Sequence, residues 1–260
     1  LCPTVPEEYG GVGVDFRYNC IVNEEIGHAG CTGLGWTLHS DIAVPYIVRY
    51  GSEEQKQRFL PRCVSGELIT AIAMTEPSAG SDLQGTKTTA VLDGDEWVLN
   101  GSKTFITNGQ KSGLVIVVAK TNVDAGSKGI SLFLVEADTP GFTKGKNLEK
   151  LGLKAQDTSE LFFQDVRIPK DNLLGEEGRG FIYLMQDLPQ ERLSVAVSAN
   201  GMCQAVMQTT IDYVKERKAF GTNVASFQNT QFKLAELSAE VSCAEVYLDR
   251  CTELLIEDKL

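Results

Sequence analysis

The sequence predicts an α+β chain in several parts: a helical N-terminal part, an antiparallel β-barrel middle domain and a helical-bundle C-terminal part. Three observations carry this reading. From about Asp15 to Ser65 the apolar residues recur at helical spacing. From Ile69 to about Ile168 short β-branched runs alternate with turns, and after Pro169 the helical period returns. The expected boundaries are 1–68, 69–172 and 173–260.

In the first part, SEEQ at Ser52 to Gln55 is a capping-box pattern that opens a helix toward Phe59 and Leu60. The strands of the middle part are LITAIAM, TKTTAVL, EWVLN, LVIVVAK, GISLFLV and ELFFQDVRI. Asp93 to Glu96 and Asn100-Gly101 supply turn chemistry, and close spacing without intervening helices favours an antiparallel sheet folded as a barrel. GEEGRG, Gly175 to Gly180, is the loop into the last part; its glycines lack the dinucleotide-binding spacing and no βαβ unit surrounds them. A long helix is expected through Leu193, Val197 and Val206 to Phe220. Lys215, Arg217 and Lys218 fall in its last turn, and Gly221 follows as a left-handed cap. Leu234, Leu237, Val241, Ala244, Leu248, Cys251 and Leu255 then form a three- and four-residue seam, expected to be buried in a bundle or a subunit interface.

With 260 residues and 42% hydrophobic content, the chain can bury a real core. A formal net charge of −11 argues against a nucleic-acid surface, so an anionic ligand must meet local cations, for which Arg192, Lys128 and Arg179 are candidates. No run approaches the roughly 20 apolar residues of a membrane span. The opening LCPTVPEEYGG has neither an initiator methionine nor the regions of a signal peptide. Seven cysteines, an odd number without a CxxC pair, are expected to be reduced thiols in an intracellular compartment. His28 and His39 have no metal-ligand spacing, so no metal site is expected.

The stretch AMTEPSAGSDLQGTKT, Ala73 to Thr88, reads as a ligand cradle. An apolar strand delivers Thr75 into a turn of Pro77, Ser78, Ala79, Gly80 and Ser81, where a hydroxyl and small residues suit a flat polar ligand close to the main chain. Read with FITNG at Phe105 to Gly109 and ERKAFG at Glu216 to Gly221, it resembles the flavin site of the acyl-CoA dehydrogenase family. PEEYGG, YGSEEQK, LNGSKTFITNG and GLKAQDTSELFFQDVRIP occur in the family's order, and GLKAQDTSELFF with LPQERL is most similar to its long-chain subgroup.

The resemblance implies the same three-part fold, FAD as cofactor, and oxidation of a saturated acyl-CoA to its trans-2-enoyl product in fatty acid β-oxidation. It also implies a homotetramer, electron-transfer flavoprotein as electron acceptor, and work in the bacterial cytoplasm or the mitochondrial matrix. Glu191, flanked by Leu188, Pro189 and Leu193, matches the catalytic base of the long-chain and isovaleryl branches; composition alone favours an ordinary solvated helix residue paired with Arg192, and the matching motif reverses that reading. The match makes Ile72, Ala73, Met74 and Thr75 one flavin wall and Phe105, Ile106 and Thr107 another, the Thr107 hydroxyl approaching flavin N5. Gly80 and Ser81 would face both flavin and thioester. Arg217 and Gln228 would reach the ADP half of FAD in a neighbouring subunit. Ser81, Lys128, Gln190 and Arg192 are the implied substrate contacts, while Trp97 and Tyr183 read as packing residues. The family carries further helices before PEEYGG and after Leu260, so the chain is expected to be partial. The alternatives are an isovaleryl or branched-chain dehydrogenase, an oxidase-type enzyme, and a non-catalytic fragment.

Overall fold

Helix, sheet and helix follow one another along the computed structural model, which describes residues Leu1–Leu260. The helices preceding the sheet are α1 (Arg17–His28), α2 (Val44–Tyr50), entered through a π-helical turn at Leu38–Ala43, and α3 (Glu53–Ser65). The strands are β1 (Thr70–Ala73), β2 (Thr89–Asp93), β3 (Glu96–Thr107), β4 (Leu114–Lys120), β5 (Ile130–Glu136), β6 (Phe142–Asn147), β7 (Thr158–Pro169) and β8 (Leu173–Leu174). Helix α4 (Gly180–Glu216), a hairpin of β9 (Lys218–Ala219) and β10 (Thr222–Asn223), and helix α5 (Gln228–Ile256) complete the chain. The chain groups into two compact units, Leu1–Val14 with Gly33–Glu191, and Asp15–Thr32 with Arg192–Leu260. None of the helices is long and apolar enough to cross a membrane.

In the first unit an eight-stranded sheet runs in the order β6-β7-β3-β2-β4-β5-β8, with β1 added beside β4. The sheet is mixed rather than wholly antiparallel: β1 and β2 each pair with β4 in parallel. Strands β4 and β5 are buried on both faces, which is why they read as unbroken apolar runs. Leu114, Ile116 and Val118 join the helical core around Tyr46, Ile47, Phe59 and Leu60. Val115, Val117 and Ala119, on the other face, meet Trp97, Phe133 and Leu161. The Ser52 capping box forms as expected, its hydroxyl accepting from Gln55 N and its own N–H donating to Gln55 Oε1. Trp97 and Tyr183 are buried as packing residues, Tyr183 stacked on Tyr50 at 4.0 Å between ring centroids.

Two turn expectations separate here. Asp93–Glu96 does close the β2–β3 hairpin. Asn100-Gly101 instead lies inside β3, where the register with β7 slips between Leu99 and Gly101. The Asn100 side chain completes that bulge by exchanging hydrogen bonds with Asp165, so its turn chemistry serves an irregular strand. The lysine-bearing β6, FTKGKN, carries no apolar alternation, so no strand period marks it in the sequence.

In the second unit, Phe16 and Cys20 pack with Leu193 and Val197, and Leu248, Cys251 and Leu255 of α5 lean on that cluster. Gly27 lets α1 approach α4 closely, since a Cβ there would meet Met202 N at 2.9 Å. Helix α4 stops at Glu216, four residues before the expected Phe220. The chain turns instead into the β9–β10 hairpin, whose two-residue loop, Phe220-Gly221, has φ of 55° and 81°. Gly221 is therefore a hairpin glycine rather than a helix cap, because two successive left-handed residues match the twist of a tight hairpin. The seam on α5 is only partly covered: Leu237 is 45% exposed. With Leu234 and Val241 it lines an apolar groove of about 310 Å³ against Met202, Val206 and Met207.

Candidate active site

Strand β1 ends at Ala73, and the chain then folds into a tight turn in which Glu76 and Ala79 exchange backbone hydrogen bonds of 2.8 and 3.1 Å. A buried ion pair fixes this turn to β3. Lys103 Nζ donates to Glu76 Oε1 at 2.8 Å and to the Met74 carbonyl at 3.1 Å, with its side chain wholly buried. Glu76 also accepts from the Lys87 and Thr88 backbone N–H groups. Burial alone would raise the Glu76 carboxyl, but the Lys103 ammonium and these donors outweigh it and hold the group below the ordinary range. Burial pushes the Lys103 ammonium down to about 8, against the pull of Glu76. One pair thus ties together the turn, the approach to β2 and the middle of β3.

Two residues beyond Lys103 the β3–β7 register slips again, and Phe105 takes a φ of 59°. A positive φ in a bulky residue costs energy, and here it turns the ring outward to 68% exposure. Thr104 N donates to the Thr75 carbonyl at 2.9 Å, setting the two predicted walls side by side. Ile72, Ala73 and Ile106 are buried in the sheet, while Met74, Thr75 and Thr107 are half-buried. Neither the Thr75 nor the Thr107 hydroxyl hydrogen-bonds within the chain. Gly80 and Ser81 are exposed, and a Cβ on Gly80 would touch nothing. Free hydroxyls on adjoining segments, an outward aromatic ring and an open small-residue turn fit a flat ligand with polar edges, as a flavin is. Asn108, at φ 60°, anchors the end of this wall by donating to the Gly35 and Thr70 carbonyls.

A second polar cluster joins α2 to the start of α4. Tyr46, wholly buried, donates its hydroxyl to Glu191 Oε1 at 2.7 Å. Burial first, and the Glu191 charge next, push the Tyr46 phenol far above its ordinary value, so it remains a donor. Arg49 forms an ion pair with buried Asp187 and donates to Gln190 Oε1 at 2.6 Å; Gln190 Nε2 donates to the Asp41 carbonyl at 2.7 Å. Gln190, expected as a substrate contact, therefore has both ends of its amide engaged inside the protein. Pro189 has no N–H to give the carbonyl one turn back, which loosens the helix beside Glu191. Glu191 itself is half-buried.

The remaining candidates lie at the surface. Lys128, in a short 3₁₀ turn at Gly126–Gly129, and Arg179 are both exposed in the first unit. The loop carrying Arg179 is held by Gly178 N, which donates to Ser131 Oγ at 2.8 Å. In the second unit Arg192 and Arg217 are exposed, Arg217 just past the end of α4, and Gln228 is exposed at the first position of α5. Sequence reasoning missed Glu76, Lys103, Tyr46, Arg49 and Asp187. A signal existed for Lys103: counting by twos from Trp97 and Leu99 along β3 puts it on the inward face.

Residues 1–67, 71–166 and 178–260 match the family models described as the N-terminal, middle and C-terminal domains of acyl-CoA dehydrogenase. The chain is 55% identical over 252 residues to the mitochondrial long-chain specific acyl-CoA dehydrogenase of Sus scrofa, covering 96% of this chain and 59% of that protein. It is 43% identical to the mitochondrial isovaleryl-CoA dehydrogenase of Solanum tuberosum, over 94% of this chain and 60% of that one. Among solved structures, an acyl-CoA dehydrogenase from Geobacillus kaustophilus superimposes with a TM-score of 0.98 at 54% identity, covering 100% of this chain and 69% of that chain. The chain thus spans about three-fifths of the length of the curated relatives it matches.

Proposed function

The chain belongs to the acyl-CoA dehydrogenase family, and on that premise we propose that it works in the FAD-dependent oxidation of a saturated long-chain acyl-CoA to the trans-2-enoyl-CoA. The observation that carries the proposal is the paired arrangement of a half-buried carboxylate, Glu191, held by a buried phenol, and a cradle whose Thr75 and Thr107 hydroxyls have no partner in the chain. Glu191 is the base. It takes the proton from the carbon next to the thioester carbonyl, whose pull makes that C–H acidic; the C–H pair becomes the new double bond to the next carbon as a hydride leaves that carbon, and the proton stays on the carboxylate. FAD, when bound, supplies the acceptor for the hydride that leaves the next carbon. Thr75 and Thr107 hold the polar edge of the flavin, Met74 and Phe105 line it, and the Glu76–Lys103 pair keeps these segments in place.

Ser81, Lys128 and Arg192 are assigned to the coenzyme A portion, where cations suit phosphates. Gln190, whose amide is engaged with Arg49 and the Asp41 carbonyl, ties the start of α4 to α2 and to the π-helical turn. The further parts of the proposal are the three domains 1–68, 69–172 and 173–260, and a homotetramer in which Arg217 and Gln228 reach the ADP half of a neighbouring subunit's FAD. Re-oxidation by electron-transfer flavoprotein, in the mitochondrial matrix or the bacterial cytoplasm, completes it. Long-chain use is supported by 55% identity to a long-chain enzyme against 43% to an isovaleryl enzyme.

The test is an anaerobic titration of the FAD-loaded protein with saturated acyl-CoAs of graded length, followed by flavin absorbance. Bleaching that is strongest with long straight chains is expected. Stronger bleaching by isovaleryl-CoA would replace the substrate assignment, and peroxide release in air without an acceptor would mark an oxidase. Bound flavin that no acyl-CoA bleaches would overturn the function.

A further inference from the structure

We propose that Tyr46 is the positioning residue for Glu191, its phenol donating to the carboxylate so that the base is held in one orientation and kept ionised until substrate arrives. This rests on Glu191 being the base. Three observations carry it. The donor is short, 2.7 Å, and aimed at a single oxygen, Oε1. Tyr46 is wholly buried and sits on a seven-residue helix packed into the core beside Ile47, Phe59 and Leu60, so the hydroxyl cannot swing away. Around it the helices are tied together by Arg49, which pairs with Asp187 and donates to Gln190, and by Gln190, which donates to the Asp41 carbonyl.

Burial favours the protonated form of a carboxylate, and each hydrogen bond donated to it favours the ionised form. A phenol that stays protonated reverses that tendency without adding charge. The hydroxyl cannot compete as a base, because burial and the Glu191 charge hold its proton firmly. Arg49 and Tyr50 on α2 act on the Tyr46 phenol together with Glu191, and the other titratable or charged groups nearby are Asp187 and Arg192 on α4 and Asp41 in the π-helical turn. Tyr50 directs its hydroxyl to Gln186 at 3.3 Å, away from the pair.

Removing one hydrogen bond to a charged group is worth about one to two pH units in the protonation midpoint of that group. In the FAD-loaded Tyr46→Phe variant, the acid limb of the rate of flavin reduction by a long-chain acyl-CoA therefore moves up by about that amount. The rate below the limb falls, with little change in KM. Tyr50→Phe leaves the limb where it is. A second reading needs no flavin: in the FAD-free protein, the infrared carboxylic-acid band absent from Glu191→Gln should titrate higher in Tyr46→Phe than in the wild type.

Should Tyr46→Phe not fold, the wild-type chain with ring-labelled tyrosine serves. The Tyr46 ring-carbon resonance bearing the hydroxyl must follow the Glu191 titration and stop doing so in Glu191→Gln. An unmoved limb and band, or a Tyr46 resonance indifferent to Glu191, overturns the inference. Full flavin reduction in Glu191→Gln overturns instead the assignment of the base on which it rests.

Discussion

Two buried polar clusters in the first unit differ in where their contacts end. Around Glu76 every contact closes on the protein itself: Lys103, the Met74 carbonyl and the Lys87 and Thr88 amides form a sealed knot across three segments. Around Tyr46 the contacts run outward, from a buried phenol to a half-buried carboxylate on a helix. The sealed knot suits support, because a fully paired buried charge resists movement and offers nothing to a ligand. The open one suits chemistry, because it ends in a group able to take a proton. The cradle beside the sealed knot shows the same division on a smaller scale. Its charges are paired and buried, whereas Thr75 and Thr107, the groups proposed to meet the flavin, are neutral hydroxyls with no hydrogen bond inside the chain.

Substitutions in the two clusters should have different consequences. The largest expected effect on folding is at Lys103. Lys103→Met leaves the Glu76 carboxylate buried without its cation and costs about 3–5 kcal/mol, with FAD affinity falling alongside. Chemical denaturation and flavin titration measure both. Lys103→Met combined with Glu76→Gln should recover much of the loss, because the uncompensated charge is gone. If the single variant unfolds like the wild type, the knot is not a support.

Thr107→Val sharpens the contrast with a smaller effect of the opposite kind. Stability should stay within about 0.5 kcal/mol, since no partner inside the chain is lost. FAD should bind about five- to tenfold more weakly, the worth of one hydrogen bond. Equal losses in stability and affinity would place the hydroxyl among the supports.

The smallest effect is acid sensitivity. The folded-state value of Glu76 is depressed, so its pairing contributes stability above the ordinary carboxylate range that is lost as pH falls through the folded value. The unfolding free energy of the wild type should therefore fall on acidification below that ordinary range. In Glu76→Gln this component of the slope should be missing; identical slopes would mean that the pair does not govern acid unfolding.

The fold was largely legible because its signals are local. Periods of 3.6 and 2 separated helix from strand, and the Ser52–Gln55 capping box formed where its residues stand. Asn100-Gly101 misled because the same residues that make turns also make bulges, and only the partner strand with Asp165 decides between them. Lys215, Arg217 and Gly221 mimicked a helix end that lies at Glu216, since a hairpin loop needs left-handed residues as a helix cap does. Within the site, the cradle segments and Glu191 could be read as motifs. Tyr46 could not, because 145 residues separate it from Glu191 and no local pattern links the two. Glu76 and Lys103, 27 residues apart, each lie inside a recognised motif, but their pairing is a tertiary fact.

The most direct test of the division between the two clusters is rapid mixing of FAD-loaded Glu191→Gln with a long-chain acyl-CoA under anaerobic conditions. FAD affinity should be unchanged and flavin bleaching slowed by about 10²–10⁴-fold, the usual contribution of a general base. Bleaching at the wild-type rate would contradict the division, and would move the base away from the cluster that ends at Glu191.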